Sequence, residues 1–519
     1  MAGKQDLEKN VGRLLIGRVP ATTLTPEYRK RLQTGTVGGI CFFRENAEQL
    51  QELATLVHDV VEASLHPPVV CTDQEGGAVQ RFDRVISPLP SPMALAATAD
   101  EDIVEKITSL SSRQLKLLGI NCLLAPVLDV ISNFVNPIVC TRAFGNAPDK
   151  VAKYGRLVAE AISAEGLVPV GKHFPGHGAT TEDSHVALAI NKLPVEKLWN
   201  TDLAPFKTIL ESLPIVLTGH IWCTEIDEEQ VPASLSKRIT HSILRDYLGF
   251  KGIVMTDDMV MKGITSKYGL GEACVMAVEA GADLVLVCGS EDELEASYSA
   301  LLAAAQSGRI SAERLEESRE RINAHFNKKP TTCAPGHNPR QYARLEKLVC
   351  EGADLSFNAS LKGIAIVRGG IPELHGQKWT LLIPDHPRYS MNLHDYLNAA
   401  LGQVEKPELL ELRRYPLEPT FEEASRIAEE LTGKNVVYLT FRALHFEDQL
   451  RLGQMVADVC NEKVAVCVDT PFDVHGLPDW PNVVATHDPS DQAMKALAQV
   501  FATRIATGVS PVQSETVAV

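Results

Sequence analysis

Through residues 1–330, short runs of β-branched and other apolar residues alternate with longer stretches whose apolar positions recur at helical spacing. The runs are Leu14–Val19, Gly39–Phe43, Val69–Thr72, Asn121–Pro126, Val168–Gly171, Ile215–Thr218, Gly252–Thr256 and Asp283–Val287. Helices are predicted between them at 48–63, 102–117, 150–164, 195–210, 235–248, 271–280 and 291–305. Near-continuous apolar strands separated by helices indicate a parallel sheet covered on both faces, and eight such units predict a (β/α)8 TIM-like barrel. A doubly wound open sheet is the structural competitor.

The pattern breaks at 327–340, a polar stretch containing Pro330, Pro335 and Pro339, which reads as a linker. A second series of runs follows at Gly363–Val367, Thr380–Ile383, Val436–Thr440, Val464–Val468 and Val483–Ala485. The reading is therefore α/β throughout: a catalytic barrel at 1–330, a linker at 331–345, and at 346–519 a smaller α/β three-layer sandwich domain without an assigned role.

A barrel carries its chemistry on the residues that follow each strand. Here those are Asp73-Gln74-Glu75-Gly76-Gly77, Asp129, Lys172-His173, His220, Asp257-Asp258 and Gly289-Ser290. Each alone has an ordinary explanation as a helix cap or turn residue; six polar strand ends together indicate a site. The densest is Lys172–His185, with three histidines, two acids and a lysine in fourteen residues. Pro175-Gly176 and Gly178 make it a loop, and the glycines give it a backbone free to move. His173 and His177 are four apart, which would suit a metal pair on a helix, but Pro175 argues against a helix there. Asp183 and His185 are two apart, so in an extended segment a carboxylate can orient an imidazole for proton transfer. The bland alternative is a solvated polar loop. Asp257 leaves a buried strand beside Asp258, and a carboxylate nucleophile with a proton donor on a loop suffices for retaining glycoside hydrolysis.

Composition narrows the classes. The chain has 519 residues, 45% hydrophobic and 22% charged, with a formal charge of -16. Without a long basic run, a nucleic-acid or anionic-membrane partner lacks its electrostatic footprint. No apolar run reaches the roughly 18 residues of a membrane span, and the polar N-terminus carries no secretory h-region. Eleven cysteines with no Cys-x-x-Cys read as free thiols of a cytoplasmic protein. No glycine fingerprint marks a nucleotide cofactor, and no cofactor or metal is expected. No heptad or apolar stripe defines an oligomeric state.

The loop Lys172-His-Phe-Pro-Gly-His-Gly-x-Thr-x-x-Asp-Ser-His185, with Asp73-Gln-Glu-Gly-Gly-x-Val-Gln-Arg81 and Thr256-Asp-Asp-Met259, resembles the β-N-acetylglucosaminidases of glycoside hydrolase family 3. Gly38–Phe43, Pro126–Val130 and Ala277–Asp283 fit the same pattern, and the resemblance covers residues 8–330. It implies that Asp257 is the nucleophile and His185, oriented by Asp183, the acid/base. It also implies that Asp73, Arg81, Arg142, Lys172 and His173 hold a terminal N-acetylglucosamine of a small glycan. A histidine in place of the usual second carboxylate titrates near neutrality. Ala78 stands where the bacterial pattern has its first arginine, which puts one side contact in doubt. The expected activity is a retaining exo-β-N-acetylglucosaminidase. The alternatives are a β-N-acetylglucosaminide phosphorylase using the same residues, with Lys172 or Arg142 on the anion, a non-catalytic sugar-binding protein, and a metal-dependent barrel hydrolase.

Overall fold

The computed structural model describes residues 2–182, 187–402 and 409–512. Eight short strands run parallel around a barrel: β1 (Leu15–Gly17), β2 (Gly39–Phe42), β3 (Val69–Thr72), β4 (Cys122–Leu123), β5 (Val168–Phe174), β6 (Ile215–Thr218), β7 (Ile253–Thr256) and β8 (Val285–Leu286). The hydrogen-bonded order is β7-β6-β5-β4-β3-β2-β1-β8, and a bridge from Met255 to Leu284 joins the two ends. Each strand except β5, which runs on past Gly171 to Phe174, sits inside its predicted run, because strands packed on both faces must be apolar at nearly every position. The open-sheet competitor is excluded by this closure.

The helices follow the predicted segments with two exceptions. The 195–210 segment is broken into Val195–Asn200 and Ala204–Ile209, and Asp202 in the break turns inward to accept a hydrogen bond from Asn191 at 2.7 Å. Residues 238–247 form a π-helix, a register that hydrophobic spacing does not distinguish from an α-helix.

The second sheet contains β9 (Ala365–Arg368), β10 (Trp379–Asp385), β11 (Leu410–Pro416), β12 (Asn435–Thr440), β13 (Lys463–Cys467) and β14 (Val483–Ala485), ordered β9-β14-β13-β12-β10-β11. Only β9 runs antiparallel to its neighbour. One face packs with Leu393–Ala400 and Asp491–Thr503, the other with Phe421–Glu430 and Asp448–Val459, giving two apolar layers around the sheet. Strand β11 escaped the sequence reading because an edge strand needs no continuous apolar run: Glu411, Arg413 and Arg414 alternate with Leu410 and Leu412. Within the stretch expected as linker, 331–338 is irregular. Pro339 then opens a helix to Gly363, capped by the Asn338 side chain, that packs on Glu101–Leu118 of the barrel and Asp491–Thr503 of the second domain.

Candidate functional site

The end of β3 runs into a tight hairpin, Gln74–Gly76 against Val79–Gln80. Gly76 and Gly77 have φ of 110° and 54°, and a Cβ on Gly76 would lie 2.1 Å from the Pro90 carbonyl oxygen, so the turn requires glycine. The hairpin delivers Asp73, Glu75 and Arg81 to one wall of the barrel mouth. Strand β5 is longer than predicted and carries Lys172 and His173 as its own residues. The turn after β4 supplies Asp129 and, further on, Arg142.

These groups form one buried network. Lys172 Nζ donates to Asp73 Oδ1 at 2.6 Å and lies 2.6 Å from Glu75 Oε1. Arg142 clamps Glu75 with two bonds, Nε to Oε2 at 2.8 Å and Nη2 to Oε1 at 2.9 Å. Arg81 reaches Asp73 Oδ2 at 3.2 Å while its guanidinium lies 5.3 Å from the centre of the Phe43 ring. Arg142 Nη2 also meets His173 Nε2 at 3.1 Å, and His173 Nδ1 meets Asp129 Oδ2 at 2.7 Å. Arginine can only donate, so Nε2 accepts and the His173 proton sits on Nδ1, directed at Asp129.

The protonation pattern follows from burial opposed by charge. Burial alone would raise the Asp73 carboxyl, but Lys172 and Arg81 hold it far below the usual range. Burial likewise works on Glu75, and Arg142 and Lys172 overcome it. Burial acts to lower Lys172, yet Asp73 and Glu75 raise it above its ordinary value. Asp129, raised by burial, is brought back below its ordinary value by His173 and His177, whose Nδ1–H and backbone N–H, respectively, donate to it. His177 is pushed down to about 4 by burial; the ring is neutral at physiological pH, with Nδ1 2.6 Å from Thr180 Oγ1. The His173 and His177 rings stand edge to face with centroids 6.1 Å apart, and each Nδ1 is committed to a protein partner. Among the described residues no cluster of three or more His, Cys, Asp or Glu is arranged to hold a metal ion.

Across the mouth, β7 ends in Asp257, whose N–H donates to the Thr218 carbonyl at 3.0 Å and whose Oδ1 accepts from the Asp258 N–H at 2.9 Å. Asp258 Oδ1 accepts from the Cys288 and Val260 N–H groups at 2.9 and 3.3 Å. Burial pushes Asp258 up to about 7, with Asp257 beside it adding to the shift. His220 is a supporting residue: Nε2 lies 2.9 Å from the Asp258 carbonyl oxygen and Nδ1 2.8 Å from Ser234 Oγ.

A cavity of about 330 Å³ lies between the two walls. Asp73, Arg81, Arg142, Lys172, His173 and Asp257, all singled out from sequence, line it together. Asp183 and His185 lie outside the described residues. Sequence reasoning gave no role to Glu75 or Asp129. Glu75 was visible in the strand-end motif, but its partner Arg142 is 67 positions away. At Ala78, Arg388 of the second domain donates to the backbone carbonyl at 2.5 Å.

Residues 6–324 match the model of the glycosyl hydrolase family 3 N terminal domain. A β-hexosaminidase of Idiomarina loihiensis is 32% identical over 274 residues, 52% of this chain and 82% of that protein; one of Xanthomonas campestris pv. campestris is 34% identical over 285 residues, 54% and 85%. The solved structure of a family 3 β-N-acetylglucosaminidase from a Paenibacillus species superposes with a TM-score of 0.85 at 30% identity, covering 98% of both chains. A solved β-glucoside phosphorylase, 19% identical with a TM-score of 0.81 over 98% of this chain and 95% of that one, shares the fold. The family match extends over most of the barrel, and the likeness to a solved member takes in both domains: the chain belongs to glycosyl hydrolase family 3 and is a glycoside hydrolase.

Proposed function

We propose that the protein is a retaining exo-β-N-acetylglucosaminidase that removes single terminal N-acetylglucosamine residues from small glycans. The observation that carries the reading is the cavity itself: a carboxylate at the end of β7 faces a wall of fixed charges 

on Asp73, Arg81, Lys172 and Arg142. In this reading Asp73 accepts from sugar hydroxyls while Arg81, Arg142, Lys172 and His173 surround the ring with donors. The cavity is near the lower end of the roughly 300–1,000 Å³ typical of small-ligand sites, in keeping with one sugar ring rather than an extended chain. The choice of N-acetylglucosamine is supported by the sequence motif and by the names of the relatives.

Asp257 attacks the anomeric carbon as His185, oriented by Asp183, gives its proton to the departing oxygen; His185 then takes a proton from water, which releases the sugar and frees Asp257. Asp258, with its carboxyl held near 7, keeps a second full negative charge away from the nucleophile. Water is the acceptor in this reading because Lys172, Arg142 and Arg81 are each already paired with Asp73 or Glu75, so none of the three is held aside for a phosphate. All eleven cysteines are free, in keeping with a reducing, cytosolic compartment that cell fractionation would test. Among the described residues no helix is long and apolar enough to cross a membrane.

Asp257→Ala is expected to abolish cleavage of an aryl N-acetyl-β-glucosaminide with the fold intact. Turnover near the wild-type rate would overturn the assignment of the nucleophile, and a sugar 1-phosphate as the main product in phosphate buffer would overturn hydrolysis.

A further inference from the structure

The second domain reaches the glycosidase pocket through the turn that carries Arg142. Strand β13 ends at Cys467, and two residues later Asp469, with no exposed surface, projects its carboxylate between the domains. Its Oδ1 accepts from Thr141 Oγ1 of the barrel at 3.0 Å, and its Oδ2 from Arg442 Nε at 2.5 Å. Arg442 then crosses the interface itself, donating from Nη1 to the Pro137 carbonyl at 3.0 Å. Phe472, from the same segment as Asp469, stacks on Phe134 of the barrel with centroids 4.0 Å apart. The second domain therefore grips the 134–142 segment at three points.

The segment is one that needs holding. Cys140, the residue before Thr141, has φ of 39°, and Arg442 has φ of 49°. Both are non-glycine residues in the left-handed region, a conformation that persists only where the surroundings over-determine it. The next residue after Thr141 is Arg142, whose guanidinium makes the paired contact to Glu75 and the contact to His173 Nε2 described above. One residue, Thr141, thus separates the strained Cys140 from a group on the pocket wall, and its hydroxyl is tied to a carboxylate of the other domain.

We propose that Asp469 is a positioning residue of the glycosidase site, holding the Cys140–Arg142 turn from the second domain so that Arg142 stays against Glu75 and His173. This gives the second domain a part in the reaction although Asp469 touches no substrate; it rests on the sugar-binding role given to Arg142 above. A residue that merely glued the domains would change stability without acting through Arg142.

Asp469→Ala leaves Arg442 buried without its partner and can fail to fold, so the decisive variant is Thr141→Val, which removes only the hydroxyl. Its kcat/KM on the aryl N-acetyl-β-glucosaminide is expected to fall about tenfold, mostly through KM, as for a lost hydrogen bond to a charged group. Thr141→Ser should restore it. In an Arg142→Ala background the same Thr141→Val change should have no further effect, since the two substitutions remove one interaction chain. Additive losses, or an unchanged KM in an active enzyme, would overturn the proposal. A wild-type protein that does not cleave this glycoside would overturn the substrate reading instead. The positioning is then decided by a crystal structure of Thr141→Val: Arg142 displaced from Glu75 is the expected result, and Arg142 unmoved contradicts it.

Discussion

The two domains place buried carboxylates in the same way and use them differently. At the barrel mouth, Asp73 and Asp257 follow strand ends and line a cavity of about 330 Å³. In the second domain Asp469, Asp473 and Asp488 also follow the ends of parallel strands, but their oxygens are taken up by protein donors. Asp473 accepts from Thr440 Oγ1 at 2.7 Å and from the Leu444 N–H at 3.4 Å. Asp488 accepts from the N–H groups of Ser91 and Ser490, both at 2.8 Å. A carboxylate that lines a cavity can meet a ligand; Asp469 and Asp488, bonded to Thr141 and Ser91 of the barrel, hold the two domains together, and Asp473, bonded to Thr440 and Leu444, holds its own domain. Strand-end position alone does not separate the two uses, since Asp73 too is bonded to protein donors, Lys172 and Arg81; access to the cavity does.

The comparison is broken most severely at Asp257. Asp257→Ala is expected to lower kcat by about 10⁴-fold or more with little change in melting temperature, whereas Asp473→Ala is expected to lower the melting temperature and leave KM near wild type. Steady-state kinetics and calorimetry on the pair test this; a stable Asp473→Ala protein with lost turnover would mean that the second domain holds catalytic groups.

Glu75 joins both uses, since it is buried behind the pocket wall and bonded to Arg142 and Lys172, which line it. Glu75→Ala leaves Arg142 buried without its carboxylate and Lys172 with Asp73 alone, and removal of one member of such a network costs about 3–5 kcal/mol. Denaturant unfolding should show this loss. Glu75→Gln, which keeps the shape, should lose less stability but still raise KM by releasing Arg142.

A smaller effect concerns Asp202, beneath the loop that starts at Gly176. Burial pushes this carboxyl from its ordinary 3.8 up to about 8, and its Oδ1 has no hydrogen-bond partner. A folded value above the unfolded one means that the native state binds the proton more tightly. The stabilisation is therefore complete below about pH 4 and is lost as pH rises through 8. Asp202→Asn keeps an acceptor for Asn191 and removes the titration. Its melting temperature should exceed that of wild type by a few degrees above pH 8, with a flatter profile between pH 4 and 8; parallel profiles would refute the assignment. His177 works in the opposite sense. Its value is depressed from 6.5 to about 4, so its contribution is present above 6.5 and lost on acidification through 4.

Much of this was legible in the sequence, for identifiable reasons. The barrel strands announce themselves because both faces are buried, and the strand-end polar residues follow from the architecture. Edge strand β11 was hidden because one-sided burial leaves Glu411, Arg413 and Arg414 along it. The break at Thr201–Leu203 was signalled by Pro205, which opens the second helix and cannot continue the first, whereas the contact of Asp202 with Asn191 was not legible. The site residues were legible one by one, but their pairing was not. Arg142 meets Glu75 across 67 positions and Asp469 meets Thr141 across 328, separations at which a single sequence carries no pairing signal. The glycines of the 173–185 loop read as hinges; a Cβ on Gly178 would lie 1.6 Å from the Val130 carbonyl oxygen, so close packing alone requires glycine there.

The central claim is that Asp257 forms and then loses a bond to the sugar, two displacements that return the anomeric carbon to its starting configuration. Proton NMR of the first-formed product, recorded faster than the released sugar mutarotates, tests it directly on the wild-type enzyme with an aryl N-acetyl-β-glucosaminide. The account predicts β-N-acetylglucosamine as the initial anomer, with the α form growing in only as mutarotation proceeds. The α anomer appearing first would mean a single displacement by water and would contradict a nucleophilic Asp257.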